Sequence, residues 1–206
     1  MVKVEAKTEM TKIDFKGNAV GLIVRGKTGP NHAPDNSEQH ADCVLPDGSP
    51  IGFFGEEGAN SGGSVGQGSW NNIYMNMKGT VYDYDLMYDR RRYYVDVAAA
   101  KNENIVSTLL VIDLAPPATT SFVNYWSRLK ADPKGFHLLG GNCSTRASAA
   151  FVYAKILPNG IPGLDTPDNL YRQLTVEGQG KTRSYSGYIG FTAKAGGGYS
   201  VQIDAP

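Results

Sequence analysis

The sequence predicts an α+β fold in which an antiparallel sheet packs against a few helices. Glycine and tyrosine are abundant, with 25 and 12 of 206 residues, and they lie among short β-branched and aromatic runs typical of strands joined by turns. Later segments space their apolar residues three and four apart, which indicates helices. We expect one domain over residues 1–206, with a core over about 19–175 and a C-terminal β extension over 183–206.

Composition and charge exclude several classes of protein. Hydrophobic residues make up 41% of the chain, which is enough for a buried core. The 20 basic and 20 acidic residues cancel, so no net field attracts nucleic acid, and we expect no nucleic-acid partner. No run approaches the roughly 20 apolar residues of a membrane helix, and the first residues lack the apolar core of a signal peptide. We therefore expect a soluble protein without a membrane span.

Strands are predicted in the first half of the chain and at its C-terminal end. Residues 19–25 (AVGLIVR) form one strand, and residues 39–56 form a hairpin around the turn Pro46-Asp47-Gly48. The glycine- and serine-rich segment 58–72 is predicted to be a long loop. Further strands are expected at 73–85 and 91–99, followed by another apolar stretch at 105–112, and a terminal hairpin is expected at 183–206.

Three helices are predicted in the second half. Pro116-Pro117 breaks the chain, and a helix follows, capped by Thr119, Thr120 or Ser121. Its core-facing residues are Phe122, Tyr125, Trp126 and Leu129. A second helix begins at Cys143 and carries one apolar stripe, formed by Ala147, Ala150, Phe151 and Ala154. A short third helix has Thr166 as its cap and Pro167 at its first position.

Cys143 stands where a cysteine becomes reactive. Unpaired N–H groups and the dipole at a helix N-terminus lower a thiol pKa, and the thiolate is the nucleophile. Gly140 and Gly141 permit a sharp turn and a close approach of substrate. Asn142 either caps the helix or donates a hydrogen bond to an oxyanion. The alternative interpretation is a buried, inert thiol, which is common at such positions.

Of the three histidines, His40 is the best partner for this thiol. His32 lies in a loop rich in Pro and Asn, and His137 is expected to point away from the helix. His40 opens a rigid hairpin strand, and strand alternation puts Asp42 on its face and Cys43 on the opposite face. Cys43 is therefore predicted to be a core residue, and a Cys43–Cys143 disulfide conflicts with this arrangement.

Several of these segments together resemble a known family. The hairpin "HADCVLPDGSPIGFFGE", the later "FHLLGGNCSTRASAAFVYA" and the following "GIPGLDTPDNLYRQL" resemble the circularly permuted papain-like (NlpC/P60-type) cysteine hydrolases. The resemblance covers residues 38–175 and is most specific at "NCST" and "TPDN". It implies a permuted papain-like fold, a sheet or half-barrel against helices, in which the histidine strand precedes the nucleophile helix.

The resemblance also implies the roles of the site residues. Cys143 is the nucleophile, His40 is the general base, and a third polar residue on the strand after the histidine hairpin orients the imidazole. Glu56 is the first choice for that residue, with Glu57 and Asp42 behind it. Asn142 and Ser144 are expected to position the site or to bind the oxyanion. No cofactor is expected, and scattered histidines give no spacing typical of a metal site.

The implied chemistry is acyl transfer through a thioester. The resemblance suggests a bacterial effector or toxin, exported by a dedicated system such as type VI secretion, that attacks cell-wall peptides or proteins. It also implies a cognate immunity protein as a possible partner. Two alternatives stay open: a lipid acyl hydrolase or acyltransferase on the same fold, and an inactive binding module. The basic run Arg90-Arg91-Arg92 is interpreted as a solvated face rather than a binding patch.

Overall fold

A computed structural model describes residues 10–33, 40–55, 77–137, 140–158, 166–177 and 182–206. Within these ranges the protein is α+β, with one eight-stranded antiparallel sheet and five α-helices. The strands are β1 (Thr11–Asp14), β2 (Ala19–Arg25), β3 (Ala41–Val44), β4 (Pro50–Gly55), β5 (Gly79–Tyr82), β6 (Ser107–Asp113), β7 (Thr182–Ala193) and β8 (Tyr199–Asp204). The helices are α1 (Tyr84–Arg90), α2 (Val97–Asn102), α3 (Pro116–Ala131), α4 (Cys143–Tyr153) and α5 (Pro167–Glu177).

The sheet has the order β1-β8-β7-β6-β2-β3-β4-β5, with β2 and β6 near its centre. Every residue of β2 is buried, as expected for an apolar strand covered on both faces. The terminal hairpin of β7 and β8 joins this same sheet, because β7 pairs with β6 from Ser107 opposite Gly187 to Ile112 opposite Thr182. The C-terminal segment is therefore continuous with the central sheet.

Side chains alternate along each strand and so divide the core into two clusters. On the first face, the sheet packs against α3, α4 and α5. Its strand residues include Val20, Leu22, Val24, Cys43, Phe53 and Leu110. On the second face, it packs against α1, the segment before α2, and side chains of the terminal hairpin. Its residues include Ile23, Val44, Phe54, Tyr94 and Ile189. Helix α4 lies directly on β3 and β4, on the first face.

Most predicted elements are confirmed. The strand at 19–25, the hairpin around Pro46-Asp47-Gly48, the helix from Cys143 and the terminal hairpin are all present. Thr166 caps α5 as expected, since its hydroxyl accepts a hydrogen bond from Asn169 N at 3.2 Å. Among the described residues, no helix combines the length and the apolar character that a membrane crossing requires. The predicted loop at 58–72 lies outside the described residues.

The strand predicted at 91–99 is wrong. A short 3-10 helix at Arg92–Tyr94 and then α2 occupy this region. Asp96 caps α2, because its carboxylate accepts a hydrogen bond from Ala99 N at 2.8 Å. The expected strand at 73–85 is also shorter than predicted in its described part, where β5 ends at Tyr82 and Asp83 caps α1. In both places a capping aspartate prevails over the β-propensity of tyrosine and valine.

The prolines at 116–117 start α3 instead of ending the preceding segment. Proline fits the first helical turn because its missing N–H has no acceptor there. The predicted cap at Thr119, Thr120 or Ser121 is wrong for this reason, since all three residues lie inside the helix. The hydroxyls of the two threonines donate to the carbonyls four residues earlier. The predicted core positions Phe122, Trp126 and Leu129 are confirmed as buried.

Candidate active site

His40 is fixed at the start of β3 by the sheet itself. Its carbonyl accepts a hydrogen bond from Arg25 N in the neighbouring strand β2, at 2.9 Å. The side chain shares a face with Asp42, as alternation predicts, and His40 Nε2 lies 2.7 Å from Asp42 Oδ1. This contact leaves Nδ1 as the ring nitrogen that can exchange a proton with another group.

Two aromatic rings hold the imidazole in its plane. The ring of Phe54, on the adjacent strand β4, stacks on His40 with centroids 4.3 Å apart. The ring of Tyr94 stacks nearly parallel to His40, with an interplanar angle of 10° and centroids 5.3 Å apart. Only 12% of the His40 side chain is exposed. The ring therefore has little freedom to rotate away from Asp42.

Cys143 is the first residue of α4, and Asn142 is the N-cap. Asn142 Oδ1 accepts hydrogen bonds from Thr145 N at 2.9 Å, Thr145 Oγ1 at 3.0 Å and Ser144 Oγ at 3.0 Å. The side-chain oxygen of Asn142 therefore acts as the helix cap, and the buried hydroxyl of Ser144 supports it. Both predicted residues lie at the helix tip beside the thiol, and both fix its backbone.

The turn before α4 depends on glycine. Gly140 has a φ of 89°, in the left-handed region that residues with a Cβ avoid. At Gly141, a Cβ would lie 3.0 Å from the ring of His137, and the two residues form a bridge through their backbones. The sharp turn expected from this glycine pair is therefore present, and it delivers Cys143 to the sheet.

Cys143 and His40 approach each other around the end of β3. Helix α4 packs on the face that carries Cys43. The His40 ring, in contact with Asp42, instead stacks on Phe54, which belongs to the other face. His40 lies just before the first residue of β3, Ala41, so its ring can be reached past the end of the strand. The Cys143 sulfur hydrogen-bonds to the imidazole, and the backbone of Ala41 also hydrogen-bonds to the sulfur. Cys143 is 8% exposed. Each of the two side chains therefore influences the pKa of the other.

The electrostatics of this pair favour separated charges. Burial alone lowers the pKa of the His40 imidazole, but the Asp42 carboxylate and the Cys143 thiolate outweigh burial and raise this pKa to about 10. Burial raises the pKa of the Cys143 thiol, but the His40 imidazolium and the Ala41 hydrogen bond outweigh it, and the pKa falls below its usual range. The contacts of the two side chains therefore favour the thiolate of Cys143 and the imidazolium of His40.

Asp42 is the carboxylate that contacts the His40 ring. It is fully buried, and its two oxygens bind His40 and Arg25, whose Nε donates to Oδ2 at 2.9 Å. Burial raises the pKa of this carboxyl, but the two cations more than compensate and lower it. Glu56 and Glu57, which were preferred or ranked beside Asp42 from the sequence, lie outside the described residues. Alternation along β3 is the signal that could have ranked Asp42 first.

Arg25 is the site residue that sequence reasoning did not single out. It ends the strand AVGLIVR, and its side chain is 1% exposed. Its only sequence signal is a charge at the end of an otherwise apolar strand, a position at which arginine usually reaches solvent.

The remaining cysteine and histidines are not part of the pair. Cys43 is completely buried in the first core cluster, as predicted, and burial raises its pKa well above the usual value. Both cysteines are free thiols. His32 and His137 are exposed. Within the described ranges, the titratable side chains form no group suited to holding a metal ion.

A surface groove with a volume of about 470 Å³ is lined by the loop after β2 and by α5. Tyr171 and Arg172 lie in its wall, whereas Cys143, His40 and Asp42 do not. The groove is thus a feature separate from the Cys143 pair.

Comparisons with protein-family models, curated proteins and solved structures gave no match to this chain. The geometry of Cys143, His40 and Asp42 therefore stands on its own as the basis for a functional assignment.

Proposed function

We propose that the protein is a cysteine hydrolase of the amidase or peptidase type, with Cys143 as nucleophile, His40 as acid and base, and Asp42 as the residue that orients His40. The observation that carries the proposal is the Cys143–His40–Asp42 chain of hydrogen bonds at the tip of α4. Nucleophile, base and orienting group in series are the arrangement that thiol acyl transfer requires.

In the first step, the Cys143 thiolate attacks the carbonyl carbon of an amide, and the carbonyl oxygen becomes an oxyanion. The N–H of Cys143 lies in the first turn of α4 and has no acceptor within the helix, so it can donate a hydrogen bond to this oxyanion. The His40 imidazolium then gives its proton to the nitrogen of the leaving amine. The C–N bond breaks, the amine departs, and a thioester remains on Cys143.

In the second step, water attacks the thioester. Neutral His40 accepts a proton from this water, and Asp42 stabilises the imidazolium that forms. The tetrahedral intermediate expels the Cys143 thiolate and releases a carboxylic acid. The thiolate and the imidazolium are then restored, and the atoms of one water molecule have been added to the amide.

An amide substrate suits this pair better than an ester. An amine is a poor leaving group until it is protonated, so it needs an acid that is still charged near neutral pH. The Asp42 carboxylate, which raises the pKa of His40 and stays charged after the thiolate has attacked, favours the protonated ring at this step. The resemblance to permuted papain-like hydrolases extends the proposal to cell-wall peptides as substrates and to a bacterial effector opposed by an immunity protein.

The test of this function is Cys143→Ala, which removes the nucleophile and leaves the helix cap intact. We expect the rate of muropeptide hydrolysis to fall by at least about a thousandfold. Mass spectrometry of the released products measures this rate. Cys43→Ala is the matched control, because that thiol is buried away from His40, and it should retain activity. Equal activity of wild type and Cys143→Ala would refute the proposal.

A parallel incubation with phospholipid vesicles separates the substrate classes. Released peptides or amines support the amidase assignment. Released fatty acids that depend on Cys143 would instead assign the site to lipid acyl transfer.

A further inference from the structure

We propose that Arg25 is a positioning residue for the catalytic pair: it supplies the buried positive charge that balances Asp42 and so allows Cys143 and His40 to exist as a thiolate and an imidazolium. The inference rests on the proposed function of these residues but goes beyond it, since it assigns a fourth member to the site. It is carried by the contacts of Arg25 and by the charge count of a buried cluster.

Three contacts hold the Arg25 guanidinium. Nε donates to Asp42 Oδ2 at 2.9 Å, and a terminal nitrogen donates to the Tyr94 carbonyl at 2.9 Å. The guanidinium carbon also lies 4.5 Å from the centre of the Tyr94 ring, which itself stacks on His40. Arg25 therefore touches two of the three groups that orient the imidazole, the Asp42 carboxylate and the Tyr94 ring.

Stability alone gives little reason for this arrangement. Arg25 and Asp42 are 1% and 0% exposed, and removing such charges from water costs several kcal/mol for each ion. Buried ion pairs can often be replaced by apolar residues without loss of stability. A second role for the arginine is therefore reasonable, and its contact with the partner of His40 indicates what that role is.

The charges of the cluster sum to zero only when Arg25 is included. Thiolate, imidazolium, carboxylate and guanidinium contribute two negative and two positive charges. Transfer of the thiol proton to His40 leaves this sum unchanged, so the buried cluster stays neutral on both sides of the transfer. Without Arg25, a thiolate, an imidazolium and a carboxylate together carry one net negative charge. The remaining cluster is neutral only when Cys143 is a protonated thiol beside the imidazolium and the carboxylate. Loss of Arg25 thus disfavours the thiolate.

Among the residues that the structure describes, the other groups near the cluster do not replace this charge. Cys43, next to Asp42 on β3, is buried and held neutral. The phenol of Tyr94 faces the site from the 3-10 helix, and β4 contributes the uncharged ring of Phe54. The guanidinium of Arg146, one turn along α4, lies 5.3 Å from the Phe53 ring on the other face of the sheet.

The test measures how the rate of Cys143 alkylation by iodoacetamide depends on pH, with mass spectrometry to locate the label. Arg25→Met and Arg25→Gln remove the charge, and the glutamine can still donate to Asp42. We expect both variants to raise the midpoint of the pH dependence of Cys143 alkylation by at least about one pH unit. At a pH below the midpoints of wild type and variant, this shift means a tenfold smaller fraction of thiolate. Arg25→Lys keeps the charge and should shift the midpoint less than either neutral variant.

Arg183→Met is the matched control, because it breaks another arginine–aspartate pair of the same sheet, Arg183 with Asp113, at an exposed position. Its midpoint should equal that of the wild type. A folded neutral variant with a wild-type midpoint would overturn the inference, as would equal shifts in the lysine and neutral variants. Failure of both neutral variants to fold would make Arg25 a structural residue and would also count against it. Because alkylation needs no substrate, these results are independent of whether the protein hydrolyses amides.

Discussion

Asp42 meets a different cation at each of its two oxygens. Oδ1 lies 2.7 Å from His40 Nε2, and Oδ2 accepts from Arg25 Nε at 2.9 Å. Since the carboxylate is fully buried, water cannot replace either partner. A change at this one side chain therefore affects both the folded state and the charge of the imidazole.

Asp42→Asn should lower the free energy of unfolding by about 3–5 kcal/mol at pH 7, because it leaves Arg25 buried without a counter-charge. The folded-state pKa of Asp42 lies below its unfolded value of 3.8, so the carboxylate stabilises the protein above that pH. This contribution is lost as the pH falls through the folded pKa, and the difference between wild type and variant should narrow there. Urea unfolding at several pH values measures both effects.

Asp113→Asn is the control for this prediction. Its exposed pair with Arg183 should contribute at most about 1 kcal/mol. If Asp42→Asn were as mild as Asp113→Asn, the buried contacts assigned to Asp42 would be wrong.

At the residue scale, local signals singled out Cys143 and His40 but not the groups that contact His40. A cysteine after Gly-Gly-Asn and a histidine at the start of a hairpin are visible in the sequence. Alternation placed Asp42 on the correct face, yet Glu56 was preferred. Arg25 could not be found, because its role depends on a pairing with β3 and on the 3-10 helix, about 70 residues away in the chain.

The hairpin of β3 and β4 positions Asp42 through its register. Asp42 lies opposite Gly52, and a Cβ at Gly52 would come within 2.3 Å of Asp42 Oδ1. The glycine therefore provides the space that the carboxylate occupies when it contacts His40.

Gly52→Ala should displace the Asp42 carboxylate and lower the pKa of His40 from about 10 by about one unit or more, because the largest favourable charge moves away. NMR titration of the His40 ring measures this shift. The clash should also cost about 1–3 kcal/mol of stability, read from urea unfolding.

Gly17→Ala is the comparison, since a Cβ there meets no atom within 4 Å. It should leave the His40 titration unchanged. An unchanged titration in Gly52→Ala as well would mean that the β3–β4 register does not control the site.

At the element scale, a helix start was predicted correctly where its capping residue was recognised in the sequence. Helices α4 and α5 begin at side-chain caps visible in the sequence, Asn142 and Thr166, and both were located correctly. Asp83 and Asp96 cap α1 and α2 in the same way, but the surrounding tyrosines and valines favoured strands, so these helices were missed. For α3, the proline pair was treated as an end when it marks a beginning.

At the scale of the whole molecule, the site forms where β3 begins, because side chains from the two faces of the sheet can meet at the end of a strand. Helix α4 covers the first face, the His40 ring stacks on Phe54 of the second, and the chain separates Cys143 from His40 by about a hundred residues. The α+β class and the antiparallel sheet followed from composition and periodicity. The strand order and the approach around the end of β3 did not, because they depend on pairings between distant segments.

The central claim is that His40 turns Cys143 into a thiolate, and the pH dependence of Cys143 alkylation in wild type and His40→Ala tests it most directly. In the wild type, Cys143 should react rapidly well below the ordinary thiol pKa of 9.0, while Cys43 in the same sample stays unmodified. In His40→Ala, the midpoint should rise to or above 9.0, because burial then acts without a compensating cation. A wild-type midpoint near 9.0 that is unchanged in His40→Ala would contradict the account.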